Sequence, residues 1–262
     1  MSQRKFAIVT GASSGIGFEI AKLAAEDGYD LLVAADTPFV DAGPALKGLG
    51  VEVRSIECDL STEHGIRQLL DAAGNRPVDV LVANAGHGLG HAWLDQTVEE
   101  WRHVIDTNIT GALLLIQPVL KGMVKRGAGR VLITGSIAGH MAGSFQAVYN
   151  GSKAFVDSFA AAIGNELKDT NVTITCLKPG ATETEFFHRA GLDDTKVGQA
   201  KKDDPADVAK AGWGAMKSGE HAVIYGMKNK MQVAAAGMMT DARTAEMHRK
   251  QAEPGSGLEK TP

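Results

Sequence analysis

Tyr149 and Lys153 stand four residues apart in Tyr149-Asn-Gly-Ser-Lys153. That spacing puts a phenol and an ammonium on one face of any helix they share. A free phenol has a pKa of about 10, too high to exchange its proton readily at neutral pH, and a nearby cation favours the phenolate. Ser136 lies thirteen residues upstream, at the end of the apolar run Arg130-Val-Leu-Ile-Thr-Gly-Ser136. Its hydroxyl is a donor for an oxygen on which negative charge develops. The chain opens with the glycine-rich turn Thr10-Gly-Ala-Ser-Ser-Gly-Ile-Gly17. A phosphate cradle followed by Ser, Tyr and Lys in this order is the kit for moving a hydride between a nicotinamide and a carbonyl or secondary alcohol. Singly, each residue has a plainer alternative: a core tyrosine, a solvated helix lysine, a capping serine.

Gly11, Gly15 and Gly17 follow a strand candidate and open a helix from Ile16 to Glu26. Glycines let the backbone approach a pyrophosphate, and the helix N-terminus then faces its charge. Asp36 closes the second strand candidate nineteen residues after Gly17. An acid there accepts hydrogen bonds from the adenosine ribose and repels a 2′-phosphate, which favours NAD(H) over NADP(H). Shifted by one residue, Ala35 takes the selecting position and Asp36 is a solvated loop acid. Asp59, beside Leu60, either holds the adenine edge or caps a helix with Ser61. Asn84-Ala85-Gly86 is a small-residue turn against which the adenine-side ribose can lie.

The elements that must position these groups are short apolar runs alternating with helix-period segments. Strand candidates are Phe6–Thr10, Asp30–Ala34, Glu52–Glu57, Val78–Ala83, Gly129–Thr134, Val172–Lys178 and His221–Tyr225. This is the pattern of a doubly wound α/β domain, a parallel sheet with helices on both faces. At 262 residues the chain suits one such domain over 1–252. The irregular stretch 183–204 reads as a substrate lid. The Gly/Pro-rich tail 253–262 is expected to be poorly ordered, or ordered by a partner subunit.

Net charge is −4, with no basic run, which argues against nucleic acid as the main ligand. The first strand starts too near the N-terminus to leave room for a signal peptide, and no unbroken apolar run is long enough to span a bilayer. A cytoplasmic protein without a membrane partner is the simplest expectation. Cys58 and Cys176 end apolar runs and read as buried, reduced thiols. The eight histidines are scattered without ligand spacing, so no metal site is expected.

These motifs resemble the short-chain dehydrogenases/reductases over about residues 5–230. The resemblance rests on Thr10-Gly-x-x-x-Gly-Ile-Gly17, Asn84-Ala-Gly86, Asn108 in Thr107-Asn-Ile-Thr-Gly111, Ser136, Tyr149-x-x-x-Lys153, and Pro179-Gly180 with Thr184. It implies a single Rossmann-like domain with a seven-stranded parallel sheet, assembled into homotetramers or homodimers partly through the helices carrying Asn108 and Tyr149. It implies Tyr149 as acid/base, Lys153 as its activator and holder of the nicotinamide ribose, and Ser136 as donor to the substrate oxygen. Asn108 would hold a water linking Lys153 to solvent, or is instead a helix-interior amide bonded to backbone. The dinucleotide contacts expected are Gly11, Ser13, Ser14, Gly15, Ile16, Gly17, Asp36, Asp59, Leu60, Asn84, Ala85, Gly86, Tyr149, Lys153, Pro179, Gly180, Thr182 and Thr184.

Ligands of open parallel sheets bind beyond the carboxyl ends of the strands. The substrate candidates there are His87 and Trp93 after the fourth strand, His140 and Phe145 between Ser136 and Tyr149, and Phe186 and Phe187 in the lid, with His188 beside them. Their aromatics suggest an apolar pocket for a small carbonyl or alcohol. Two alternatives stand beside this reading. A 3-oxoacyl reductase wants a basic patch for an acidic carrier, and Lys196, Lys201 and Lys202 are opposed by Asp193, Asp194, Asp203 and Asp204. A dinucleotide-binding sensor without turnover need not keep Ser136, Tyr149 and Lys153 together.

Overall fold

β1 (Phe6–Thr10) and β2 (Asp30–Ala35) are buried at every position, as strands covered on both faces must be. They belong to a seven-stranded sheet with β3 (Val53–Glu57), β4 (Val80–Ala83), β5 (Gly129–Thr134), β6 (Val172–Lys178) and β7 (Ala222–Ile224). The order is β3-β2-β1-β4-β5-β6-β7 and every pairing is parallel. All seven strand expectations hold, with ends moved by no more than two residues. The computed structural model describes residues 4–258.

Helices cover both faces. One core joins Ile8, Leu32 and Leu81 to Leu115, Ile116, Val119 and Met123 of α5 (Ala112–Arg126) and Val156 of α6 (Ala147–Glu166). The other joins Val9, Val33 and Val82 to Ile20 of α1 (Gly15–Glu26) and to Val208, Trp213 and Met216 of α9 (Pro205–Ser218). Fully burying one such side chain contributes roughly 1.5–3 kcal/mol. The remaining helices are α2 (Ala42–Lys47), α3 (Glu63–Ala73), α4 (Val98–Ile105), α7 (Phe186–Arg189), α8 (Lys196–Gln199), α10 (Met227–Ala236) and α11 (Asp241–Ala252).

α4 and α5 run on through a π-helical turn, Asp106–Gly111, as one helix of 29 residues. By length and mean hydropathy alone it could cross a membrane. One face of it packs on the sheet, with Leu115, Ile116, Val119 and Met123 in the core. Cys58 and Cys176 are buried and unbridged.

The strand order reverses between β1 and β4, which opens a crevice at their carboxyl ends. The glycine turn sits at its floor. Gly11 has φ +63°, and a Cβ on Gly17 would stand 2.1 Å from the Gly11 carbonyl oxygen. Neither position admits a side chain without moving the turn.

Backbone hydrogen bonds tie down both irregular segments. The stretch 183–204, expected as a substrate lid, has its two ends joined by Glu183 N–H donating to the Asp203 carbonyl (2.9 Å) and Asp203 N–H to that of Ala181 (2.8 Å). Residues 253–258 of the tail are held rather than loose. Gly255 N–H donates to the Asp194 carboxylate (2.7 Å) and Gly257 N–H to the Asp194 carbonyl (2.8 Å). Residues 259–262 lie outside those described.

Candidate active site

α6 presents Tyr149 in its first turn and Lys153 one turn later. Both are buried, at 9% and 5% exposure. The Lys153 ammonium donates to the Thr134 carbonyl at 2.8 Å and lies 5.9 Å from the centre of the Tyr149 ring. Ser136 leaves the end of β5 and places its hydroxyl against the Tyr149 phenol. Asn150, between Tyr149 and Lys153, donates to the carbonyls of Ala138 (3.0 Å) and Met141 (3.2 Å). That amide ties the Ser136 loop to the helix carrying Tyr149.

Electrostatics depart from the expectation of a phenol lowered by its lysine. Burial pushes the Tyr149 phenol up to about 12, only partly opposed by its hydrogen bond with Ser136. The same burial pushes Lys153 down to about 8, opposed by the negative charge of Asp157. Loss of hydration outweighs the attraction of a cation 5.9 Å away. The protein alone therefore keeps the phenol protonated at neutral pH.

Asn108 lies in the π-helical turn and does not line the cleft. Its Oδ1 accepts from the His87 N–H (2.7 Å), and its Nδ2 donates to the His87 carbonyl (2.9 Å) and to Ser152 Oγ (2.9 Å). The backbone-bonded amide, one of the two alternatives for Asn108, is the arrangement seen. π-helical turns recur at functional sites because they re-aim a side chain out of the regular ladder.

Every expected dinucleotide contact except Gly17 lines one cavity of about 850 Å³. Gly17 sits beneath the turn. Three features fit the cavity to a dinucleotide. The glycine turn would be filled by a Cβ. Ser14, the N-cap of α1, makes no capping bond, and the first helical turn carries no acid. Its N–H groups and partial positive charge are thus open to a phosphate. Asn84 fastens the neighbouring strand ends, donating to the Thr10 carbonyl (3.0 Å) and accepting from Thr134 Oγ1 (3.0 Å). Asp59 lines the cavity while its carboxylate accepts from the N–H (2.9 Å) and hydroxyl (2.7 Å) of Ser61, so the turn with Ser61 is made.

Asp36 lines the cavity from the end of β2, and its carboxylate is gripped by Arg189 of α7. Sequence reading missed this partner. The two are 153 residues apart, and no local pattern links them.

The substrate candidates divide. His87, Phe186 and Phe187 line the cavity, and Phe186 packs its ring 5.1 Å from that of Tyr149. Trp93, His140 and Phe145 do not line it. Trp93 is more than half exposed, on a short 3-10 turn. His140 turns toward Lys178 Nζ (3.2 Å) and the Asp157 carboxylate (3.4 Å). Phe145 takes φ +65° and faces a separate small cavity with Leu89 and His91. His188 is exposed and paired with Asp193 at 2.8 Å. Where these side chains were expected, α11 brings Thr244, Met247 and His248, and the turn before it Met239, to the cavity wall, and Met141 joins them from the segment after β5. A methionine-rich polar-looking helix pair carries no sequence signature of a pocket wall. Among the described residues no group of side chains could hold a metal ion.

The model of the short chain dehydrogenase family matches residues 5–194. The 3-oxoacyl-acyl-carrier-protein reductase of Vibrio harveyi is 32% identical over 79% of this chain and 87% of its own length. The solved short-chain dehydrogenase of Sphingobium yanoikuyae, in complex with NADPH, is 25% identical with a TM-score of 0.78, covering 90% of this chain and 96% of that one. A short-chain dehydrogenase/reductase of Burkholderia phymatum, in complex with NAD, shares the fold at 22% identity and TM-score 0.77, over 88% and 92% of the two chains.

Proposed function

Because the chain belongs to the short-chain dehydrogenases/reductases, an NAD(P)-dependent oxidoreductase family acting on small molecules, we propose that it reduces a carbonyl, or oxidises the matching secondary alcohol, with Tyr149 as the acid/base. The observation that carries this reading is the burial of Tyr149, Lys153 and Ser136 together at the wall of the dinucleotide-shaped cavity.

A bound nicotinamide supplies or accepts the hydride. The cavity residues hold and orient: Gly11 to Ile16 the pyrophosphate, Asp36 the adenosine ribose, Lys153 the nicotinamide ribose, and Thr184 the carboxamide. In reduction Tyr149 gives its proton to the carbonyl oxygen as hydride reaches the carbon, and in oxidation it takes the alcohol proton. The buried, protonated phenol suits the first direction. Ser136 donates to the same oxygen, and one such preorganised donor is worth about 2.7–4 kcal/mol. Lys153 keeps a positive charge near the phenolate that forms. Asn108 holds the His87 peptide and, through Ser152, the turn bearing Tyr149. Asp36 favours NAD(H).

The cavity beyond Tyr149 is walled by Phe186, Met141, Met239 and Met247, which suits an apolar carbonyl substrate. That wall also supports a second reading, reduction of a 3-oxoacyl group, in keeping with the Vibrio harveyi relative. The outer faces of α5 and α6, with Leu114 and Phe155 exposed, suit assembly into homo-oligomers.

The test is NADH and NADPH oxidation across aryl ketones, diketones, keto-sugar acids, steroids and 3-oxoacyl thioesters, with Tyr149→Phe as control. Turnover of one class that falls by at least about a hundredfold in the variant supports the reading, since acid/base groups contribute about 10²–10⁴ in rate. Turnover undiminished in Tyr149→Phe removes Tyr149 from the chemistry.

A further inference from the structure

Asp36 is not a bare carboxylate. Arg189 reaches it from the last residue of α7, inside the lid, and both guanidinium nitrogens Nη1 and Nη2 point at its two oxygens. Each side chain is 40% exposed, so the pair is held weakly and is easily exchanged. Arg189 lines the same cavity. His87, which feels the charges of both Asp36 and Arg189, is pushed down to about 4 by burial and by His103 and Arg189, and carries no charge at neutral pH. Beside Asp36, Thr37 shares a hydrogen bond with Ser13 of the glycine turn at 2.8 Å. The ribose end of the cavity thus holds an acid, an arginine and the Ser13 hydroxyl, which Thr37 engages.

The acid and the arginine select opposite ligands. A carboxylate accepts hydrogen bonds from ribose hydroxyls and repels a 2′-phosphate. An arginine fork matches a phosphate by paired, charge-assisted hydrogen bonds. Paired with each other, they cancel much of each other's field, and either ligand draws out its own partner.

We propose that Arg189 is a second cofactor-selecting residue, borne by the lid, whose guanidinium is the anchor for a 2′-phosphate and which is held on Asp36 when no phosphate is present. This rests on the reading of Asp36 as the ribose acceptor. The discrimination against NADP(H) that Asp36 alone would impose is therefore tempered, and the preference is set by the pair. It also makes the lid responsive to which dinucleotide is bound, because the exchange moves an α7 side chain.

The experiment is direct binding of NADH and of NADPH to the purified protein, read by reduced-nicotinamide fluorescence, for wild type, Arg189→Met, Asp36→Asn and the double variant. Arg189→Met should weaken NADPH by about tenfold or more while NADH changes by less than about threefold, the scale of one lost charge-assisted contact. Asp36→Asn should strengthen NADPH, and in that background Arg189→Met should again weaken NADPH by about tenfold or more, because the guanidinium freed from the acid is the phosphate anchor. Equal weakening of both dinucleotides by Arg189→Met would place the guanidinium on the shared pyrophosphate and overturn the proposal. So would NADPH binding by Asp36→Asn that is unchanged when Arg189 is also replaced. A wild type that prefers NADPH, with the dependence on Arg189 intact, removes the NAD(H) preference assigned to Asp36 and leaves the role of Arg189 standing.

Discussion

Asn108 grips His87 at both ends of one residue: its Oδ1 accepts from the His87 N–H at 2.7 Å and its Nδ2 donates to the His87 carbonyl at 2.9 Å. The same Nδ2 reaches Ser152 Oγ, which donates to the Tyr149 carbonyl at 2.7 Å. One buried amide therefore ties the loop after β4 to the helix turn that carries Tyr149.

Replacing Asn108 by alanine strips partners from the His87 peptide and from Ser152. Leaving a buried donor or acceptor unpaired costs about 1–3 kcal/mol. Urea denaturation should show a loss of that size. Asn108→Asp should lose stability as well, because a carboxylate cannot donate to the His87 carbonyl. A midpoint unmoved in both variants would show that the grip contributes nothing.

The pH dependence follows from Lys153, pushed down to about 8, and Tyr149, pushed up to about 12. As pH rises through 8, Lys153 loses its charge while Tyr149 keeps its proton. The rate of carbonyl reduction, as kcat/KM for the carbonyl at saturating cofactor, should fall on the alkaline side with an apparent pKa near 8. A profile level to pH 10 would separate Lys153 from the rate.

Asp157 lies one further turn along α6, buried, with its carboxylate 3.2 Å from Lys178 Nζ and 3.4 Å from His140 Nε2. Lys178→Met removes the main counter-charge from a buried carboxylate, a change that costs about 3–5 kcal/mol. In the wild type, burial and Lys178 lower the His140 pKa. In the variant the repulsion from Lys178 is gone and Asp157 draws the pKa of His140 upward. Stability from a raised histidine is present at acid pH and lost as pH rises through the folded pKa. The deficit, measured by denaturant midpoint, should therefore be smaller at pH 5 than at pH 8. An equal deficit at both would show that His140 does not answer the charge of Asp157.

Much of this molecule was legible along the chain, because the relevant physics is local. Phe6–Thr10 and Asp30–Ala35 are strands buried on both faces, and their unbroken apolar runs say so without reference to any other segment. Gly11 and Gly17 are dictated by a turn too tight for side chains. Tyr149 and Lys153 share a face because helical spacing is a property of one segment. The family resemblance rests on the same local motifs and the order in which they come.

What only the tertiary structure decided depends on distant partners and on exclusion of water. Arg189 meets Asp36 across 153 residues. Trp93, His140 and Phe145 follow the right strands yet leave the cavity, because the course of a loop is set by what it packs against: His140 goes to Asp157 and Lys178, and Phe145 lies under the guanidinium of Arg249. The methionines of α10 and α11 reach the cavity only because those helices fold back over it. The charge states of Tyr149 and Lys153 belong here too. Spacing brings a phenol and an ammonium together, but burial, which exists only once the whole chain has packed, decides which of them keeps its proton.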